Sequence, residues 1–187
     1  MSSETQSALI RVVAFLIIPV AMRVAIKRKK FTRHDIALNS PLSYSKFFLW
    51  WFGFLLFTVL TEITLYRFGI LEVSRWHHNG VSAAIRLIGI IVLAPLSEEL
   101  LFRGFFLHKL IQWKLNRHMA VLVQAAVFVL LHSFAYQNDL SSNIGIAQGF
   151  IDACIFAYAR FSTGSIYTSM AMHSTGNLVA VIEQFIL

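Results

Sequence analysis

Charge is scarce in this sequence. Asp, Glu, Lys and Arg make up 13% of its 187 residues, about half the share of a soluble globular domain. So little charge excludes both the polar surface of a cytosolic enzyme and the composition of a disordered chain. Cysteine is almost missing. Cys154 stands alone, so no intramolecular disulfide forms and a secreted disulfide scaffold is excluded. No internal repeat or low-complexity tract is visible, and the links between apolar stretches leave no room for a soluble domain. Apolar and aromatic residues, in contrast, account for 57% of the chain, 17 of them Phe, and the mean hydropathy is +0.68. This is the composition of an integral membrane protein.

The formal net charge is +7. In a soluble protein that balance would point to nucleic acid, but the cations here are bunched beside apolar runs. Seven of the sixteen Lys and Arg fall between Arg23 and Lys46. The pattern reads as membrane topology, with a lipid bilayer and not a nucleic acid as the surrounding partner.

A span needs about 20 mostly apolar residues. Six stretches fit or nearly fit: 8–26, 46–66, 81–113, 118–136, 144–160 and 166–186. The expected fold is all-α, a polytopic bundle of about six transmembrane helices. It forms one integral membrane domain over 1–187, with a motif-bearing core at about 81–187. The first stretch precedes its basic cluster, the reverse of a cleavable signal peptide. Lys27, Arg28, Lys29, Lys30 and Arg33 should hold that end in the cytoplasm. Alternation then brings Lys109, Lys114, Arg117 and Arg160 to the same side and leaves both termini outside. Trp50, Trp51, Trp76 and Trp113 are expected as interface anchors.

The third stretch would measure about 50 Å as one helix, longer than the hydrocarbon core. Pro95, in its middle, predicts a kink or break. A helix restarting at Ser97 would be capped by that side chain, with the two following carboxylates at its positive end. A merely bent helix would run out past Trp113. Both remain open.

Glu98 and Glu99 lie where a charge costs about 2.5–3.5 kcal/mol on insertion scales. Glu99 and Arg103 are four apart with the acid first, the order favourable for an ion pair along one helical face. That pairing braces the helix and leaves Glu98 free. His132 stands in the apolar run 128–132, and His173 and Asn177 share one face of the last span. Gly176, beside Ser174 and Thr175, predicts close approach of a neighbouring helix. Counting rise from the cytoplasmic ends brings Glu98, His132 and His173 to a common depth.

A carboxylate, two imidazoles and a carboxamide are the parts for amide hydrolysis. Glu98 can take a proton from water while an imidazole orients that water. The second imidazole and Asn177 can donate to the developing oxyanion. No Ser lies in a nucleophile context and Cys154 is distant in sequence, so direct attack by water is expected. The cluster depth predicts that substrate arrives laterally or from the cytoplasmic side.

The segment Glu98-Glu99-Leu100-Leu101-Phe102-Arg103-Gly104 resembles the EExxxR signature of the CAAX-protease and bacteriocin-processing (CPBP, or Abi) family. Phe128 to His132 resembles its FxxxH motif, and His173 to Asn177 its HxxxN motif. Together they cover about 90 residues, from Ala94 to Ile186, in family order. The resemblance implies an intramembrane endopeptidase of the glutamic type, related to the eukaryotic Ras-converting CAAX endopeptidase. Glu98 and His132 would activate water, His173 and Asn177 would form the oxyanion site, and Glu99 and Arg103 would pair. No cofactor is implied. The substrate would be a membrane-embedded or membrane-anchored peptide or protein, or a lipid-modified one, and the location a bacterial or archaeal cytoplasmic membrane.

Two alternatives belong to other classes. Glu98, His132 and His173 also make a sound zinc ligand set, although no HExxH helix is present and Glu98 as ligand leaves no obvious base. A non-catalytic scaffold or immunity protein, or a proton-coupled carrier extended through Glu62, Asp152 and Glu183, is the other. Carriers tend to show duplicated halves, and none is visible.

Overall fold

The computed structural model describes residues 2–133 and 140–186. Their architecture is six helices: α1 (Ser3–Lys27), α2 (Tyr44–Arg67), α3 (Gly80–Gln112), α4 (Arg117–Ser133), α5 (Leu140–Thr163) and α6 (Ile166–Ile186). Among the described residues, α1, α2, α3 and α5 are long and apolar enough to cross a membrane, whereas Arg117–His132 is a shorter apolar helix. The expected span 118–136 lies partly outside the described residues. The helix at 166–186 is present but is not one of those four. Its inward side carries Thr168, Ser169 and His173, all buried, and these lower its hydropathy while supplying the polar groups of the interior.

Burial fits a lipid solvent. Of the 25 residues of α1 only Ala8 and Met22 are buried, and 6% of its most apolar window is covered by protein. In water such an exposed apolar helix would be a large unsatisfied surface; in a bilayer its backbone bonds are internal and its side chains are at home. This is an integral membrane protein. Helices α4, α5 and α6 pack in sequence, α2 lies against α6, and α1 lies against α3. At the α2–α6 contact, a Cβ added to Gly176 would sit 3.4 Å from the Phe54 ring, the close approach that its sequence context predicts.

The basic segment between α1 and α2 folds back onto the bundle. Thr32 N–H donates to Asp35 Oδ2 at 2.7 Å and Asp35 N–H returns to Thr32 Oγ1 at 3.2 Å. The backbone donor of Thr32 is the main cause that holds the Asp35 carboxyl below its ordinary range. Ile36 is then fully buried, and Ala37 and Asn39 carbonyls accept from Ile166 N–H (2.9 Å) and Ser165 Oγ (2.6 Å). Gly164, at φ +68, makes the α5–α6 turn beneath Leu42, a left-handed conformation that glycine adopts without cost.

Pro95 neither breaks α3 nor restarts it at Ser97. The helix continues through two wide, π-type turns, Gly89–Leu93 and Leu100–Phe106. The first absorbs the proline: Ala94 N–H reaches Gly89 O, five residues back. In that register the donor due to Ile90 O would come from residue 95, and proline has none.

Candidate active site

Asn177 supplies the missing donor. Its Nδ2 donates to Ile90 O at 2.8 Å, so the side chain on α6 ties that helix to the wide turn of α3. The sequence places Asn177 as an oxyanion donor; here one amide N–H already serves the backbone, and the side chain also lines the central cavity.

One turn beyond Pro95, Glu99 and Arg103 pair as their spacing predicts. Arg103 Nη1 donates to Glu99 Oε1 at 2.9 Å, and both side chains are fully buried. Arg103 also lies over the faces of Phe128 (4.7 Å) and Phe156 (5.3 Å), whose negative quadrupoles favour a cation. Glu99 has a second partner that spacing did not reveal. His173 Nδ1 donates to the same Glu99 Oε1 at 2.9 Å, while the imidazole stacks on Phe156 at 5.3 Å.

His132 is held in a similar way. Its Nδ1 lies 2.7 Å from Phe128 O, and a carbonyl can only accept, so Nδ1 carries the proton. Each ring therefore turns Nε2 toward Glu98. The distances to Glu98 Oε2 are 3.8 Å from His132 and 3.6 Å from His173. These exceed a direct charge-assisted hydrogen bond and set the two Nε2 atoms and the carboxylate close together at the cavity wall.

The cluster faces a cavity of about 340 Å³ whose far wall is formed by α2 and α5. Thr58 on α2 and Asp152 on α5 line it, and the Oγ1 of the one and Oδ1 of the other are buried with no hydrogen-bond partner among the described residues. Glu62 accepts from Gln148 Nε2 at 2.6 Å. Among the described residues no three His, Cys, Asp or Glu side chains are arranged to hold a metal ion.

A family model described as type II CAAX prenyl endopeptidase Rce1-like matches residues 80–179, more than half of the chain and all of the clustered motifs. The chain belongs to that family. An uncharacterized 24.3 kDa protein of Escherichia coli is 29% identical over 99 residues, a match covering 52% of this chain and 43% of that one. The chain therefore spans less than half the length of this curated relative. No solved structure matches.

In this Rce1-like chain the fold brings together Glu98, His132, His173 and Asn177 from three helices. The sequence reading missed the His173–Glu99 bond, because contacts between helices leave no spacing signal, and it missed Thr58, an unremarkable residue in an apolar run. Trp51 has a partner that the sequence did not indicate. Its Nε1–H donates to Thr175 Oγ1 at 2.8 Å in the α2–α6 contact. The central cavity adjoins a second cavity lined by Glu72 and Glu183, at the end of the bundle away from the basic loops.

Proposed function

We propose that this member of the Rce1-like family is an intramembrane endopeptidase that hydrolyses a peptide bond by water activated at Glu98. The supporting observation is the convergence of two imidazole Nε2 atoms and one carboxylate oxygen at 3.6–3.8 Å, with both Nδ1 protons already committed. A water molecule has the two donors such a group of acceptors calls for. Donating to Glu98 Oε2 and His132 Nε2, it directs a lone pair toward a scissile carbonyl in the cavity.

The steps balance without a cofactor. Water oxygen bonds to the carbonyl carbon, its proton passes to Glu98, and the carbonyl electrons become an oxyanion. Collapse breaks the C–N bond, and the proton on Glu98 passes to the leaving nitrogen. The oxyanion needs donors: the second N–H of Asn177 is one, and His173 adds Nε2–H in the form of the ring that carries a proton on both nitrogens, accepting there in the other form. Each is worth about 2.7–4 kcal/mol where such donors have been measured. Glu99 and Arg103 act through His173 as positioning residues. The substrate is a membrane-embedded or membrane-anchored peptide or protein, lipid-modified ones included.

Wild type and Glu98→Gln, produced at matched levels in the native host, are compared by mass spectrometry of membrane-protein termini. Gln keeps size and hydrogen bonding but is no base. Termini present only with wild type are expected. Identical termini, with both proteins folded, would remove the hydrolytic reading and leave a scaffold role.

A further inference from the structure

The carboxylates of this chain are placed very unevenly. Of nine Asp and Glu, five line two adjoining cavities. Glu98, Glu62 and Asp152 face the central one, and Glu62 and Asp152 also face the second, about 450 Å³, together with Glu72 and Glu183. No Lys or Arg is among the described lining residues of either. Shared residues on α2 and α5 make the two a single passage from Glu98 to the bundle end at which α2 and α6 finish.

Acidity alone would describe an ordinary solvated end of a bundle. Thr58 and Asp152 make this one different. Thr58 is 4% exposed and faces the central cavity one turn before Glu62, yet its Oγ1 has no hydrogen-bond partner among the described residues. A helical Thr ordinarily bonds the carbonyl one turn back, as Thr175 does to Ala171 O at 2.8 Å. Asp152 Oδ1 is likewise buried without a partner among the described residues, while Gln148, one turn before it, is committed to Glu62. A buried polar atom left unmade costs about 1–3 kcal/mol. Two such atoms on facing helices, with negative charge beyond them, suit a donor-rich, positively charged ligand. No metal-binding set exists among the described residues, and two adjoining cavities of about 340 and 450 Å³ hold more than a single side chain.

We propose that the passage from Asp152 and Thr58 to Glu72 and Glu183 is a recognition subsite for a Lys- or Arg-bearing stretch of the peptide substrate, next to the bond cleaved at Glu98. Asp152 and Thr58 Oγ1 accept from the cationic side chain nearest the reaction centre. Glu62, Glu72 and Glu183 hold those further out. Low-dielectric walls strengthen the attraction by focusing the field. The proposal rests on the reading of Glu98 as the hydrolytic centre, and its test keeps the two apart.

The protein in nanodiscs of zwitterionic lipid is offered two fluorescent peptides with one apolar core, one flanked by Lys and its twin by Glu. Binding is measured on Glu98→Gln, which should cut neither, and cleavage on wild type. The Lys-flanked peptide should bind at least about tenfold more tightly. That gap should shrink as salt is raised, and most of it should vanish in Asp152→Asn with Glu183→Gln. Equal affinities, or a preference that survives both salt and neutralisation, overturn the subsite. The salt titration needs no variant at the acidic positions. Selective, salt-sensitive binding with neither peptide cut supports the subsite and removes hydrolysis of these peptides. Both peptides bound and cut alike would do the reverse.

Discussion

Glu99 and Arg103 carry opposite charges in a fully enclosed position, and Glu99 Oε1 accepts from both Arg103 and His173. Two charges so placed are held by geometry, since desolvation offsets most of their attraction. Removing one partner is costly because the other stays buried. Arg103→Leu should therefore destabilise the protein by about 3–5 kcal/mol, read as a lower unfolding midpoint in detergent. Replacing both, Glu99→Gln with Arg103→Met, should cost less than Arg103→Leu alone. A double variant as unstable as the sum of its singles would mean that the pair does more than neutralise itself. In either case His173 loses the carboxylate that fixes its ring, so stability and catalysis should separate: the double variant folds but turns over poorly.

At the scale of the element, α3 is shaped by one residue. Pro95 cannot donate, the helix widens over Gly89–Leu93, and Asn177 from α6 completes the Ile90 carbonyl. Wide turns of this kind often mark functional positions in helices, and here one precedes Glu98 while the other follows Glu99. Asn177→Ala should cost about 1–3 kcal/mol through the unsatisfied carbonyl. In a Pro95→Ala background, residue 95 has an N–H for Ile90 O or for its ordinary helical acceptor, so the same Asn177→Ala change should cost less. A double-mutant cycle on unfolding measures the coupling. A cycle that closes to zero would free Asn177 from the backbone role and restore the oxyanion as its principal work.

The whole molecule is polarised along the bundle axis. The basic residues of the α1–α2 segment, the α3–α4 turn and the end of α5 lie at one end. The carboxylates Glu62, Glu72 and Glu183 gather at the other. The positive-inside tendency predicts that the basic end faces the cytoplasm and the acidic passage the opposite side. With Cys154→Ser as background, a Cys at Ser74 should react with a membrane-impermeant thiol reagent in intact cells. A Cys at Lys30 should react only after permeabilisation. The reversed pattern would put the acidic passage on the cytoplasmic side, in agreement with the route predicted from cluster depth.

By itself the sequence determined that the chain lives in a membrane, because scarce charge and long apolar runs have no stable arrangement in water. It also determined the helical class, the Glu99–Arg103 pair and the polar candidates. Each of these follows from composition or from a helical period that acts within a few residues. Only the tertiary structure decided how α3 passes Pro95, since the outcome depends on a donor 82 positions later in the chain. Tertiary structure alone likewise placed His173 on Glu99, turned Trp51 inward and gathered distant carboxylates along one passage. These contacts join helices whose order in space is set by packing, and a linear pattern carries no record of it.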